Sequence, residues 1–340
     1  RTSFGLMLAS DAAPGNFSDE ERDDPRLASF IEPFVDKNAF IGVLRAKRDI
    51  GKESNLGFFA TTYNFPQRHN DIAGFDGRFK LDSKTVVSFQ TVGTTTRGYF
   101  FDPDTTKTSY QTGNGFGYLV NYDYTDRNFG YFVQTQGRTE KYRADVGFTR
   151  RVGTNKSDLF LRWSTDPKPE GFYTNWRISN FSSASYDWKG RMQQAIDEFQ
   201  WQFNFKKETF VSVGYFGGHE RLFEEEFGPR RSLLHPGAFA GHGERSTNLN
   251  QIFAYGGSTP NRFISFFQFV GFTRGAFDFD FGNGPKYPRV SPAALANPFA
   301  PLDPGRGSEL YLESNVTIQP TDALRTSVSY FKSRLHRYDT

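Results

Sequence analysis

The sequence predicts an all-β protein, a transmembrane antiparallel up-and-down β-barrel with about sixteen strands present. Three observations predict it. First, Phe199, Trp201, Phe203 and Phe205 alternate with Gln200, Gln202 and Asn204, and this pattern recurs along the chain. Neighbouring side chains in a strand point to opposite faces, so one face is aromatic and the other amide. Second, aromatics make up 17% of the 340 residues, with 39 Phe, although only 36% of the chain is hydrophobic. Soluble cores lean on Leu, Ile and Val as well as Phe. A barrel wall alternates apolar-out with polar-in and so keeps its mean hydropathy low, as here. Third, short turns are separated by longer polar connections, as a barrel with short turns and long loops requires.

The elements follow in order. Asp11 to Pro33 is acidic, carries Pro14, Pro25 and Pro33, and reads as a loop. Ala73, Phe75, Phe79 and Leu81 alternate with Gly74, Asp76, Arg78 and Lys80, and beyond Asp82-Ser83-Lys84 the next strand carries Val87 and Phe89. Thr94–Asn114 reads as a long polar connection. Phe116, Tyr118, Val120, Tyr122 and Tyr124 then share one face, against Gly117, Leu119, Asn121 and Asp123. Thr125-Asp126-Arg127 has turn composition, and Phe129, Tyr131 and Val133 resume the pattern against Gln134 and Gln136. Gly153–Lys156 reads as a short turn before Leu159, Leu161 and Trp163, which alternate with Arg162 and Ser164.

Arg191 to Phe199 is the best helical stretch, yet it runs into the aromatic alternation and reads as strand or irregular. Lys206–Glu208 is a turn and Gly217–Ser246 a long connection. Ile252–Tyr255 and Phe263–Val270 carry apolar residues on both faces. Phe277, Phe279 and Phe281 alternate with Asp278 and Asp280. Gly282–Arg306 is a long connection, and its prolines from Pro285 to Pro304 cannot sit inside a ladder. Leu310, Leu312, Val316 and Ile318 alternate with Glu313, Asn315 and Thr317 before a turn at Pro320–Ala323. The strands run near the ~9–11 residues that a tilted membrane strand needs. Residues 1–340 read as a single barrel domain, a fragment that is incomplete at the C-terminus and trimmed at both ends.

Composition excludes several classes. Cysteine is absent, which rules out disulfides and thiolate metal sites. A net charge of +3 from 41 basic and 38 acidic residues gives no case for a nucleic-acid partner. No apolar run is long enough for a membrane helix. A charge facing lipid costs roughly 2–4 kcal/mol for Arg or Lys at the midplane. The strand charges lie mostly on the polar face, so Asp76, Arg78, Lys80, Asp123, Gln134, Gln200, Gln202 and Asn204 are expected to line a lumen. Phe116, Tyr118, Tyr122, Phe199, Trp201, Phe203 and Phe205 are expected to face lipid.

Candidate chemistry is sparse. His219, His235 and His242 lie near Glu220 and Glu224-Glu225-Glu226, but at no metal-ligand spacing. Asp102-Pro103-Asp104 and Asp278-x-Asp280 are only fragments of a calcium loop, without its glycine and distal Glu. No Gly-x-Ser-x-Gly elbow occurs. Gly113-x-Gly115-x-Gly117 has no helix after it and reads as strand glycines near aromatics, not a phosphate cradle. No catalytic residue, metal site or cofactor is expected.

Two stretches carry a resemblance. The first is Asn38–Asp49 with Ser54-Asn55-Leu56-Gly57 and Gly74-Phe75-Asp76-Gly77-Arg78-Phe79; the second is Tyr142–Arg151. With Phe4–Leu8 and Ala13-Pro14-Gly15, the chain resembles a bacterial family of unknown function whose barrel-like C-terminal domain follows a family-9-type carbohydrate-binding domain. The resemblance spans essentially the whole chain and is strongest in the first 150 residues. It implies an outer-membrane barrel, a sugar-binding partner domain before Arg1 and further strands after Thr340. It brings no catalytic residues with it. The expected role is a pore, transport or surface-anchoring function with the lipid bilayer as partner and a glycan as candidate ligand. The rivals are a membrane-embedded hydrolase acting on glycans or lipids and a soluble sugar-binding β-sandwich.

Overall fold

A computed structural model describes residues 1–102, 107–147, 149, 151–227 and 237–340. The strands, in chain order, are β1 (Thr2–Asp11), β2 (Ala39–Ile50), β3 (Ser54–Phe65), β4 (Arg68–Lys80), β5 (Thr85–Asp102), β6 (Lys107–Thr125), β7 (Phe129–Arg138), β8 (Thr154–Ser164), β9 (Asn175–Asp187), β10 (Met192–Asn204), β11 (Phe210–Phe223), β12 (Glu244–Asn261), β13 (Ile264–Asp278), β14 (Gly305–Thr321) and β15 (Leu324–Arg337). Each pairs with its sequence neighbours in one 15-stranded sheet, and every pairing is antiparallel. The protein is all-β and up-and-down, with fifteen described strands where the sequence predicts about sixteen. The sheet is not closed, since β1 and β15 are unpaired edges. Both are odd-numbered strands of an up-and-down sheet, so they run in the same direction.

The connections alternate between the two ends, and the longest ones gather at one of them, although residues 66–67 and 188–191 there are short and residues 165–174 at the other end are long. Residues 51–53, 81–84, 126–128, 165–174, 205–209, 262–263 and 322–323 lie at one end, the turn end. Residues 12–38, 66–67, 139–147, 149, 151–153, 188–191, 224–227, 237–243 and 279–304 lie at the other, the loop end. Local chemistry fixes the tight reversals. At 81–84 the Asp82 carboxylate accepts from the amides of Lys84 and Thr85, at 2.7 and 2.9 Å, and so turns the chain.

Several expected boundaries change. Thr94–Asn114 is not a loop, because β5 and β6 stay paired out to Asp102↔Lys107. Its threonines are β-branched strand formers whose polarity resembles that of a loop. Gly153 closes the 139–153 connection, and Thr154–Lys156 already belongs to β8. Gly217–Ser246 shrinks to residues 224–243. The Phe277–Phe281 alternation breaks as β13 ends at Asp278, and Asp280 takes φ 53°. Arg191–Phe199 forms β10 from Met192 onward. Asp11–Pro33 contains two short helices, α1 (Asp19–Asp23) and α2 (Ala28–Ile31); a reciprocal cap between Ser18 and Glu21 starts the first. Pro103 and Asp104, Phe148 and Arg150, and His235 lie outside the described residues.

Alternation gives the sheet one polar and one apolar face. The apolar face has two zones. Toward the turn end it is a belt of large side chains such as Phe75, Trp163 and Ile252, which are 54%, 56% and 71% exposed. Toward the loop end the same face becomes polar, with Asp71 on β4, Asn180 and Ser182 on β9, Asp197 on β10 and Asn248 on β12. Asp197 accepts from Asn180 Nδ2 at 3.1 Å and Ser182 Oγ at 2.6 Å.

Residues 224–227 and 237–243 pack with the 279–304 connection at the loop end of the sheet. Ala238, Phe239 and Leu302 form a small core with Leu222, and Phe227, Phe277 and Phe279 pack against it. The proline-rich connection holds a third helix, α3 (Pro292–Ala296), which Ser291 caps through the Ala294 amide. Asp280, fully buried at its side chain, organises this connection. It accepts from the amides of Val290 and Ser291 at 2.7 and 3.1 Å and pairs with Arg289 at 3.0 Å. Burial alone would raise its carboxyl, but the bonds from Ser291, Val290 and Arg289 outweigh burial and hold it below the usual range. A depressed folded value stabilises the cap fully above the ordinary Asp value of about 3.9, and that contribution is lost as pH falls through the lower folded value. Amide exchange or proteolysis of residues 279–304 is therefore expected to rise only below pH about 3.9 in the native protein. Asp280→Asn should raise it at neutral pH and flatten its acid dependence.

Candidate functional site

The polar face is the candidate site, and it is built in sectors. On β2–β5, Arg45 pairs with Asp76 through two bonds, that from Nη2 to Oδ1 being 2.7 Å. The two residues sit on β2 and β4, so the guanidinium must cross β3. It does so over Gly57, where a Cβ would stand 2.6 Å from Arg45 Nη2. Phe59 supplies a ring face 5.9 Å from the guanidinium carbon, and lies in turn over Gly74. Gln90 and Leu119 complete the hollow.

On β6–β10 the wall is richer in donors. Gln134 donates to Asn121 at 2.7 Å. Arg177 Nη2 donates to Gln202 at 2.9 Å, Gln202 to Asn204 at 2.7 Å and Asn204 to Asn175 at 2.8 Å. Asp123, Arg162 and Arg177 line a hollow of about 570 Å³ with Phe132, Phe160 and Phe181. Arg177 Nε is buried there without a partner. Within this hollow two guanidinium groups stand against one carboxylate, so its lining is electropositive.

From β11 to β15 the polar face carries rings. Tyr255 and Phe269 have centroids 6.0 Å apart and planes 19° apart, and Phe253 lies beside both. Phe253 rests on Gly214, where a Cβ would stand 2.2 Å from its ring. Gln200 donates to the Tyr255 hydroxyl. These rings explain why Ile252–Tyr255 and Phe263–Val270 read as apolar on both faces.

A strap crosses the polar face near the loop end. Tyr142, 8% exposed, sits on the bare backbone of Gly115 and Gly117. Asn70 is fully buried; it donates to Thr96 Oγ1 at 2.7 Å and to the Arg143 carbonyl at 3.2 Å, and accepts from the Asp145 amide at 3.0 Å. Arg68 pairs with Asp145 at 2.8 Å. The glycines at 113, 115 and 117 are thus strand glycines under aromatics, Phe100 covering Gly113.

The register sets all eight expected lumen residues on the polar face. They do not form one cluster. Asp76 joins Arg45, whereas Arg78 and Lys80 reach the turn end, bonding the Glu53 carbonyl at 2.9 Å and carboxylate at 2.5 Å. Phe116, Tyr118, Tyr122, Phe199, Trp201 and Phe203 share the apolar face. Phe205 follows the end of β10 and packs edge-on against Phe172 at 5.7 Å. Arg45 and Tyr142 fall inside the two stretches that carry the resemblance and Tyr255 inside a stretch read as apolar on both faces, but none was given a role there, and Asn70 and Arg177 carry no motif; glycines beside a charge or ring were the available signal.

The acidic run is engaged by partners. Glu225 bonds Arg191, Glu226 bonds Arg151 at 2.8 Å, and Glu224 accepts from the Phe239 amide at 3.4 Å. His219 bonds Asn248 at 2.8 Å on the opposite face from Glu220. Among the described residues no three His, Asp or Glu side chains converge as a metal site.

No protein-family model matches the chain, and no curated protein matches it. Among solved structures it is similar to the crystal structure of the siderophore receptor PirA from Pseudomonas aeruginosa, with a TM-score of 0.35 and 7% identity over 88% of this chain and 63% of that chain. The chain thus spans less than two thirds of that receptor's length. The class defined by fold and site is an antiparallel β-meander with an exposed apolar belt on one face and a charged, amide-rich wall on the other.

Two outcomes are expected of this wall. In a double-mutant cycle, Arg45→Ala and Asp76→Asn should couple by about 1 kcal/mol, a value discounted because both groups are partly solvated; unfolding in detergent measures it. Gly115→Val should expel the strap at a cost of about 1–3 kcal/mol, because a Cβ there meets the Tyr142 backbone at 2.4 Å. Limited proteolysis within residues 139–147 should accelerate in that variant while the sheet stays protected.

Proposed function

We propose that this chain forms most of the wall of an outer-membrane β-barrel with a transport role, its apolar belt against lipid and its polar face lining the path of polar solutes. The observation that carries the reading is the exposed belt. A soluble sandwich would bury such rings, and soluble monomers rarely expose contiguous apolar patches beyond a few hundred Å². Along β6 the belt runs from Phe116 to Tyr124. Eight residue steps at ~3.3 Å, tilted by ~40°, give a height of about 20 Å, near the ~25 Å band of membrane barrels. The aromatic residues at its turn-end margin, such as Trp163 and Trp176, suit a membrane interface.

The polar face supports solute passage. Its guanidinium, carboxylate and amide groups replace hydration contacts, and the Arg162–Arg177 sector favours anions. Tyr255 and Phe269 beside Gln200 offer ring stacking and hydrogen bonding, the chemistry that sugars use, so glycans are the first solutes to try. The sugar-binding partner domain implied by the resemblance would fit that use.

The test is folding followed by conductance. The chain should fold only with detergent or liposomes and give a compact, heat-sensitive gel band; a stable soluble monomer without detergent would sink the reading. In planar bilayers, Arg162→Gln with Arg177→Gln should lower anion over cation preference by at least about twofold, because the fixed charge that concentrates anions is gone. Unchanged selectivity would remove this wall from the conduction path.

A further inference from the structure

We propose that the apolar face of β13–β15 carries a binding site for phosphate-bearing membrane lipid headgroups at the loop-end margin of the belt. The proposal rests on the membrane reading above. The register builds the patch: Arg274↔Ser308↔His336, Phe272↔Leu310↔Arg334 and Val270↔Leu312↔Lys332 are successive cross-strand rows on that face. Arg274, Lys332, Arg334 and His336 are all exposed. Among the described residues none of the four has an ion-pair partner. The acids of these strands do not reach them. Glu309 and Glu313 fall on the polar face by alternation, and Asp278 pairs there with Arg337. Asp339 is held by Arg337 at 2.8 Å.

Other charges on this face behave differently. His69 pairs with Asp71 at 2.6 Å, Arg221 with Glu244 at 2.6 Å, and Asp197 is held by Asn180 and Ser182. The β13–β15 sector is therefore the one described part of the collar with several like charges and no counter-charge. The hydrogen bond with Ser308, the Gly275 amide and the nearby Arg274 and Arg306 guanidiniums together hold the Tyr338 phenol below its usual value. Phe272 and Leu310 share the row of Arg334, Val270 and Leu312 that of Lys332; toward the turn end follow the row Gln268↔Ser314↔Tyr330, in which Ser314 donates to Gln268, and the apolar row Phe266↔Val316↔Val328. Basic groups stacked on an apolar belt match a lipid, whose anionic head sits above its acyl chains. Each Lys or Arg near an anionic lipid surface adds to the attraction, and salt screens it.

The test uses the full chain folded in dodecyl maltoside, with folding checked by heat-modifiable migration. Retention of phosphatidylglycerol and of phosphatidylcholine is measured by native mass spectrometry and by the thermal shift of the folded band. The native protein should retain phosphatidylglycerol in a salt-sensitive way. Arg274→Gln, Lys332→Gln and Arg334→Gln combined should weaken that retention at least about tenfold and leave phosphatidylcholine unchanged. Arg48→Gln, at the turn end of the same face, should change neither. Equal retention by the native and triply substituted proteins would overturn the proposal, as would displacement by millimolar inorganic phosphate, which would assign the patch to free phosphate. Loss of monodispersity in the variant with lipid retention unchanged would also overturn it, assigning these charges to protection of the β15 edge. Failure of the native chain to enter micelles at all would refute the membrane reading itself, and the migration assay separates that result from loss of the lipid site alone.

Discussion

The antiparallel ladder is what the rest of this structure depends on. Each interior strand uses its backbone donors and acceptors on both neighbours, so the sheet satisfies itself without water or helices between strands. That self-sufficiency is what a chain needs in hydrocarbon, where an unpaired amide costs several kcal/mol. The ladder also enforces alternation. Once a single register is set, each residue's face is set, and a slip of one residue would turn the belt inward and the charges outward. The edges β1 and β15 are the exception. They run in the same direction, so direct pairing between them would be parallel.

The polar face depends on glycine at a few positions. Arg45 reaches Asp76 across β3 only because Gly57 has no side chain, and Tyr142 lies on β6 only because Gly115 and Gly117 are bare. A further glycine sets geometry by its backbone. Gly275, with φ 79°, is the bulged residue where β13 shifts register against β14, and a Cβ there would stand 2.0 Å from the Asn248 carbonyl. The bulge hands the chain from the regular wall to the cap built on Asp280. Wall, strap and cap are thus held by different means: ladder bonds, a buried amide at Asn70, and a buried carboxylate.

The two ends of the sheet divide the work. The turn end is compact and bordered by the aromatic belt, and the loop end carries the connections, the cap and the polar collar. The collar shows how strands that continue past an apolar zone change chemistry on the same face. Phe199 and Asp197 are adjacent positions on one face of β10, yet the first belongs to the belt and the second bonds Asn180 and Ser182. On β13–β15 the same transition brings in the cations Arg274, Lys332, Arg334 and His336, the patch proposed to take lipid headgroups.

Much of this was legible in the sequence, for a physical reason. Alternation is a local property with period two, so residues from Phe116 to Tyr124, or Phe199 to Phe203, reveal their shared face without any knowledge of neighbours. Short turns such as Asp82-Ser83-Lys84 are legible because a side chain bonds the adjacent backbone. Long-range pairing is not local. Thr94–Asn114 looked like a loop because threonine and glycine are polar or small, and only the partnership of β5 with β6 makes it strand. The meeting of Arg45 with Asp76, of Asn70 with the strap, and of Arg162 with Arg177 depends on register across several strands. The sequence by itself determined the fold class and which residues share a face. Tertiary structure alone decided which of them meet, because contacts between strands follow from register and closure, which no local pattern encodes.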